Sequence, residues 1–210
     1  MAVMSFFKDR FDGIAFNTSL WVDASGSGGV VSMSGGKLIL TPATSTASTR
    51  PELDSFSNHD MTSGTLTVRV LQVASQECQT SFIFGTPTNQ VYLEHYAGTN
   101  TLRARQVVAS VYSTLASVGY DSTTMAWWRI RELSGTTYWE YAAEQYGPYT
   151  VLHSATNPIA MTAAQVILQV FDAASDAAPG AAWFSNLNST KAVFNNRTLR
   201  PYPFAPGLAR

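Results

Sequence analysis

Short runs of alternating apolar and polar residues dominate the chain, and no useful length shows the three-to-four-residue period of an amphipathic helix. The clearest run, VILQVF at 166–171, is rich in β-branched and aromatic residues and predicts a buried strand. Some fourteen such runs, separated by Gly, Asn, Pro and Ser-Thr clusters, are typical of a two-sheet antiparallel sandwich. The pattern predicts one all-β domain over 1–188, followed by an extended arm over 189–210.

One hairpin can be placed in register from the sequence alone. In AWWRIRELSGTTYWEYA a two-residue turn at Ser134-Gly135 pairs Leu133 with Thr136. Alternation then separates a core face from a second face that holds the charges. The predicted pairs are Ile130–Trp139 and Trp128–Tyr141 on the core face, and Arg131–Tyr138 and Arg129–Glu140 on the other face.

A second hairpin follows the same logic. In QVYLEHYAGTNTLRARQ a four-residue loop, Ala97–Asn100, pairs Tyr96 with Thr101. The register then places Glu94 opposite Arg103. Tyr92 falls opposite Arg105, while Leu93 and Ala104 share the other face. Each hairpin is therefore predicted to present one Arg–Glu pair and one Arg–Tyr pair across its strands.

Two segments resemble known proteins. The opening FKDRFDGIAFNTSLWVDASGSGGVVSMSGGKLILTP resembles the first strands of concanavalin A-like (laminin-G-like) jelly rolls. The stretch TTMAWWRIRELSGTTYWEYA, with the later VILQVF and APGAAWFSNLN, is similar to a domain of minor tail proteins from phages that infect actinobacteria. The resemblance implies a concanavalin A-like jelly-roll sandwich and a structural virion surface protein, either a minor tail protein or a capsid decoration protein. It also implies multiple copies or a homo-oligomer, other virion proteins as partners, and possible contact with glycans of the host surface.

Composition and charge distinguish the C-terminal arm from the body. Charged residues are only 13% of the chain, and the single cysteine, Cys78, excludes an intrachain disulfide. Residues 1–187 hold 9 bases and 14 acids, whereas residues 188–210 hold 4 bases and no acid. Prolines in the arm favour extended backbone, and we expect it to dock on a neighbouring subunit or on another virion protein. The predicted docking residues are Phe194, Arg197, Leu199, Arg200, Tyr202, Phe204, Leu208 and Arg210.

Candidate catalytic and metal sites are weak in this sequence. A glycosidase needs two suitably spaced carboxyl groups, and an E-x-D or E-x-E strand would supply them. Glu52 and Asp54 have this spacing but follow Pro51 at the start of a strand, and Glu94 and Glu140 have no acid two residues away. Asn58-His59-Asp60 favours a turn over a calcium site. We therefore expect no enzyme activity, no metal and no cofactor, with a glycosidase as the last-ranked function.

A carbohydrate-binding module that recognises cell-wall polysaccharide is the alternative function. The segment AAEQYGPY exposes Tyr146 and Tyr149 beside a turn, and tyrosine rings stack on sugars or cover sheet edges. The acidic body argues against nucleic acid. No apolar run approaches the ~20 residues of a membrane span, and the N-terminus lacks the apolar run of a secretory signal. These features predict synthesis in a cytoplasm, and the resemblance to phage proteins implies assembly in a bacterial host and a final location in the virion.

Overall fold

The computed structural model describes residues 2–3 and 7–191. Strands make up nearly all of its regular structure, and the hairpin loop 97–99 forms a short 3₁₀ turn. The strands are β1 (Ala2–Val3), β2 (Lys8–Asp9), β3 (Trp21–Asp23), β4 (Val30–Met33), β5 (Leu38–Thr41), β6 (Glu52–Ser55), β7 (His59–Asp60), β8 (Gly64–Gln72), β9 (Gln79–Thr86), β10 (Asn89–Tyr96), β11 (Thr101–Val108), β12 (Val111–Gly119), β13 (Trp127–Leu133), β14 (Thr136–Ala142), β15 (Thr150–Thr156), β16 (Gln165–Phe171) and β17 (Ala182–Lys191).

Two large antiparallel sheets form the body. One has seven strands in the order β12-β11-β10-β9-β16-β6-β3. The other has eight strands, seven in the order β15-β14-β13-β8-β17-β5-β4 and β2 paired with β17. Strands that neighbour one another in space are often distant in sequence, as with β6 and β16 or β8 and β17. This arrangement confirms the prediction of an all-β, two-sheet antiparallel sandwich.

The core lies between the sheets because alternate residues of each strand point inward. The strand β16 shows the pattern: Val166, Leu168 and Val170 are fully buried, whereas Gln165 and Gln169 on its other face are not. Large aromatic rings fill the interior, where each buried ring contributes heavily to stability. The largest fully buried side chains include Trp21, Trp128, Trp139, Phe11, Phe82, Phe84 and Phe184.

Both predicted hairpins have the register expected from the sequence. Arg129 pairs with Glu140 and Arg131 with Tyr138 between β13 and β14. Between β10 and β11, the predicted partners of Glu94 and Tyr92 and the loop pairing are also found. Two-residue periodicity and a short turn leave few other registers, because a one-residue slip would place charges in the core.

The last described strand, β17, ends at Lys191. The predicted docking residues of the C-terminal arm, from Phe194 to Arg210, lie outside the described residues. Within the part of the chain that the structure describes, no helix has the length and apolar character needed to cross a membrane.

Candidate functional site

A recess of about 540 Å³ lies on the outer face of the seven-stranded sheet, and we call it the sheet cleft. Residues of β6, β16, β9, β10 and β11 form its floor, and Pro87 and Tyr112 stand at its rim. The floor has an apolar centre, where Ile83, Tyr92 and Ile167 belong to one small buried cluster. The volume is within the ~300–1,000 Å³ range of ligand sites.

Strand register arranges the cleft residues in two rows that cross five strands. At a strand spacing of ~4.8 Å, each row extends for about 19 Å across the sheet. That length suits an extended ligand better than a single small molecule. One row is Glu52, Gln169, Ser81 and Glu94, which continues to Arg103 just outside the cleft, and the next is Asp54, Ile167, Ile83, Tyr92 and Arg105.

Two neighbouring carboxyl groups form the acidic end of the cleft. Burial, together with the charge of Glu52, raises the pKa of Asp54 to about 7. Burial also raises the pKa of Glu52, although the Arg50 guanidinium, 3.3 Å away, and a hydrogen bond from Gln169 oppose this. The two carboxyl groups interact directly: the interaction raises the pKa of Asp54 and opposes the rise in the pKa of Glu52, so Glu52 is the better anion. Asp54 therefore keeps its proton to a much higher pH than an ordinary aspartic acid, beside the carboxyl group of Glu52.

This pair corrects the sequence analysis, which rightly placed Glu52 and Asp54 at the start of a strand but did not count them as an E-x-D strand. The structure places both in β6, with their side chains lining the cleft. Pro51 does not disturb the site, because the pairing of β6 with β16 begins at Glu52. The i, i+2 spacing was the available signal, and the preceding proline obscured it.

Glu94 lies further along the cleft and is held by two arginines. Both of its carboxylate oxygens lie 2.9 Å from Nη1 of Arg105, and Arg103 Nη1 is 3.6 Å away. Its side chain is only 2% exposed, and burial raises its pKa while the guanidinium groups oppose the rise. The side chain of Glu94 is thus fixed in place, so it shapes the charge of the cleft more than it can act as a mobile acid.

Two polar atoms in the cleft have no hydrogen-bond partner within the described part of the chain. They are Oδ1 of Asp54, an acceptor, and Nε of Arg105, a donor, and both are shielded from solvent. Buried polar groups nearly always find a partner. At the rim, the ring of Tyr112 is 64% exposed. An unused acceptor, an unused donor and an exposed ring are the features that a polyhydroxylated ligand requires.

The two tyrosines predicted to bind glycan lie elsewhere, over the outer face of the other sheet. Tyr146 is 91% exposed. Tyr149 has internal contacts: its ring lies 3.5 Å from the Arg129 guanidinium, and its hydroxyl donates to the Gln145 carbonyl at 2.8 Å. The structure therefore does not bring these residues together with the sheet cleft. Sequence reasoning missed Tyr112, whose place at the rim depends on the fold of β12.

Another cluster of side chains has the chemistry of metal ligands, but its carboxylates are occupied by backbone N–H groups. The candidate ligand atoms of Cys78, Asp172 and Asp176 lie within 4.8 Å of one another. The Asp172 carboxylate accepts the backbone N–H groups of Ala174 and Asp176, and Asp176 accepts the N–H of Glu77. Burial raises the pKa of the Cys78 thiol to about 12, so it stays neutral and is a poor ligand. These contacts fasten two loops together.

The segment Asn58-His59-Asp60 has a structural role. His59 lies in the core with its ring 4.3 Å from that of Phe7, and burial lowers its pKa to about 4. Asp60 accepts the backbone N–H of Thr62 at 2.8 Å. This is the turn contact that the sequence favoured over calcium binding.

Comparison with known proteins identifies the fold. No family model matches the chain, and no curated protein is similar to it. Among solved structures, it is similar to a Bacillus licheniformis β-glucanase (TM-score 0.63, 18% identity, covering 87% of this chain and 95% of that one). It is also similar to a family 16 glycosyl hydrolase of Mycobacterium smegmatis (TM-score 0.67, 12% identity, covering 88% of this chain and 99% of that one). A third neighbour is a pseudo β-1,3-glucanase and immunostimulatory antigen of Mycobacterium tuberculosis (TM-score 0.64, 14% identity, covering 90% of this chain and 99% of that one).

These similarities confirm the concanavalin A-like jelly roll and correct one prediction. The expectation that the chain is not an enzyme is wrong, because glucan hydrolases share its fold over nearly their whole length. The absence of an E-x-D strand, on which that expectation depended, is also contradicted by β6. None of the three neighbours is a phage protein, so the comparisons give no support to the resemblance to phage tail proteins.

Proposed function

We propose that the chain binds a polysaccharide in the sheet cleft. The observation that supports this most directly is the pair of shielded polar atoms, Oδ1 of Asp54 and Nε of Arg105, in a recess of about 540 Å³. A sugar hydroxyl both donates and accepts hydrogen bonds, so one glycan chain would satisfy the two atoms at different rings. The proposal agrees with the glucan chemistry named for two of the fold neighbours.

Contacts along the cleft suit a neutral glycan. The glutamine amides of Gln79, Gln90 and Gln165 line it, and each amide offers both a donor and an acceptor. The exposed ring of Tyr112 offers a flat apolar surface to the C–H face of a sugar. Charges of both signs are present at the two ends of the rows, so the cleft does not favour a strongly charged polymer.

Affinity electrophoresis of the full chain tests this proposal. The gels would contain either a β-1,3-glucan or a mixed-linkage β-1,3-1,4-glucan. We expect retardation by at least one glucan, and replacement Tyr112→Ala should weaken binding about tenfold, equivalent to about 1.4 kcal/mol. Val111→Ala is the matched control, because Val111 is also exposed but alternates to the other side of β12. Unretarded migration in both gels would refute the proposal.

Hydrolysis of the bound glycan is a second candidate, favoured by the raised pKa of Asp54 and by its place beside Glu52 in the cleft. Asp54 would give its proton to the glycosidic oxygen as the C–O bond breaks, and Glu52 would take a proton from the attacking water, releasing two shorter chains. Glycosidases hold the two carboxyl groups at least ~5 Å apart. Glu52 and Asp54 are two residues apart on one strand and influence each other's pKa, so hydrolysis would require bound sugar to hold the two carboxyl groups at that separation.

Reducing-sugar release from the same two glucans tests hydrolysis. Asp54→Asn should abolish release while the protein is still retarded in the gel, since only the proton donor is lost. If the wild-type protein binds glucan but releases no reducing ends, this second candidate fails and the binding proposal stands.

The sequence analysis also predicted a minor tail or capsid decoration protein that residues 189–210 anchor in a phage particle. Only the resemblance in sequence supports this prediction. Its test is chemical cross-linking of intact particles, in which the arm should be joined to another virion protein.

A further inference from the structure

A second, smaller recess lies on the opposite side of the molecule, on the outer face of the eight-stranded sheet. Its volume is about 200 Å³, and we call it the loop pocket. The loop 143–149 folds over the sheet and forms one wall, while β8, β13 and β17 form the base. Its principal lining residues are Thr67, Arg129, Gln145, Tyr146, Tyr149 and Asn188.

The base of the loop pocket is held rigidly by charge. Glu140 is 2% exposed and accepts from Nε of Arg129 at 2.5 Å and from Nη2 of Arg131 at 2.8 Å. The ring of Tyr149 lies on the Arg129 guanidinium, and Cζ of Arg129 is 3.5 Å from the centroid of that ring. Two cations and one anion leave this cluster with a net charge of +1.

Tyr149 fastens the loop and leaves Tyr146 outside it. The Tyr149 hydroxyl donates to the carbonyl of Gln145, and it also interacts with the hydroxyl of Thr67 on β8. These contacts hold the loop against the sheet. Tyr146 remains 91% exposed, although it also lines the pocket. A large aromatic ring in a fastened loop is pre-organised for a ligand, since little freedom is lost on binding.

A shielded acceptor lies at the base. The Oδ1 atom of Asn188 is inaccessible to solvent and has no hydrogen-bond partner within the described residues, although the residue lines the pocket. An acceptor in this position needs a donor such as a hydroxyl group. The pocket thus combines an aromatic surface, an unused amide oxygen and a nearby guanidinium.

We infer that the loop pocket is a second carbohydrate site, which takes one sugar ring at the end or side of a glycan. Tyr146 packs on the apolar face of the ring, and a ring hydroxyl donates to Oδ1 of Asn188 once that side chain turns towards the pocket. The volume is below the ~300 Å³ of most drug-sized sites, which limits the occupant to a single ring. Because the two sites lie on opposite sheets, one molecule can bridge two glycan chains, and their combined binding exceeds that of either site alone.

Amide chemical shifts of the ¹⁵N-labelled full chain separate the two sites. The probes are methyl β-glucoside and an oligosaccharide of β-1,3-linked glucose. We expect shifts at residues 143–149 and near Asn188 with both probes, and shifts along β9 and β10 with the oligosaccharide. Tyr146→Ala should remove the first set only, and Tyr112→Ala, which replaces the exposed tyrosine of the sheet cleft, should weaken the second set only.

The outcomes distinguish the two proposals. Shifts confined to the sheet cleft would overturn the loop-pocket inference and leave the proposed function intact. Shifts confined to residues 143–149 would support the inference and count against the cleft. If Tyr146→Ala leaves the shifts at 143–149 and their concentration dependence unchanged, the ring does not contact sugar and the inference is wrong.

Discussion

Replacement of Asp54 by asparagine should stabilise the protein at alkaline pH and have no effect in acid. The reason is the pKa of Asp54, which is raised from 3.8 to about 7 by burial and by Glu52. Between these values the unfolded chain loses the proton while the folded protein keeps it, so the free energy of unfolding falls as pH rises. Above pH 7 the folded protein bears the full cost of two neighbouring carboxylates. Asparagine keeps the shape and the hydrogen-bond donor but cannot ionise.

The size of the effect follows from the same numbers. A pKa difference from 3.8 to about 7 corresponds to at most about 4 kcal/mol, at 1.36 kcal/mol per unit. Asp54 is partly exposed, and solvent screening reduces the value to about 2 kcal/mol. The free energy of unfolding of Asp54→Asn should therefore exceed that of the wild-type protein by about 2 kcal/mol at pH 8 and equal it at pH 3.5.

Urea denaturation followed by tryptophan fluorescence measures this difference, because Trp21, Trp128 and Trp139 are fully buried. His59, whose pKa burial lowers to about 4, destabilises both proteins as pH falls below 6.5, so its contribution cancels in the comparison. Asp12→Asn, which removes one carboxyl group at an exposed position, is the matched control. The reasoning fails if Asp54→Asn is no more stable at pH 8, or if its advantage is the same at every pH.

Three further predictions concern stability. Glu140→Gln leaves two partly buried arginines without their anion and should cost about 3–5 kcal/mol, seen as a lower melting temperature; a loss below 1 kcal/mol would contradict the role of the cluster. Ala109 and Ser110 both have positive φ in the β11–β12 turn, where Asn-Gly is preferred, so Ala109→Asn with Ser110→Gly should add about 1 kcal/mol in urea denaturation, and an unchanged midpoint would refute this. Gly85→Ala places a Cβ 2.6 Å from Cα of Gln90 and should cost about 1–3 kcal/mol, checked by the same method; a neutral result would show that the backbone yields.

The two hairpins show what local sequence can predict. Partners such as Arg129 and Glu140 are eleven residues apart and are joined by a two-residue turn, so alternation and turn chemistry fix their pairing. The second arginine on each glutamate was not predicted. Arg131 and Arg105 reach their carboxylates diagonally across the hairpin, through side-chain conformations that strand pairing alone does not specify.

The sheet cleft shows what local sequence cannot predict. Glu52 meets Gln169 across 117 positions, and this contact exists only because β16 inserts between β6 and β9. No pattern within either strand specifies that order. The i, i+2 spacing of Glu52 and Asp54 can be read from the sequence. Their common environment cannot, because it depends on β16, which is more than a hundred residues away along the chain.

The separation between β6 and β16 has a consequence for biosynthesis. Chains emerge from the ribosome N-terminus first, and contacts between distant segments form late because a long loop must close. Each Arg–Glu–Arg cluster is contained in a single hairpin and can form as soon as that hairpin has emerged. The edge of β6 that carries Glu52, by contrast, waits unpaired until Gln169 has been translated. The nascent polypeptide therefore acquires its charge clusters before its acidic cleft exists.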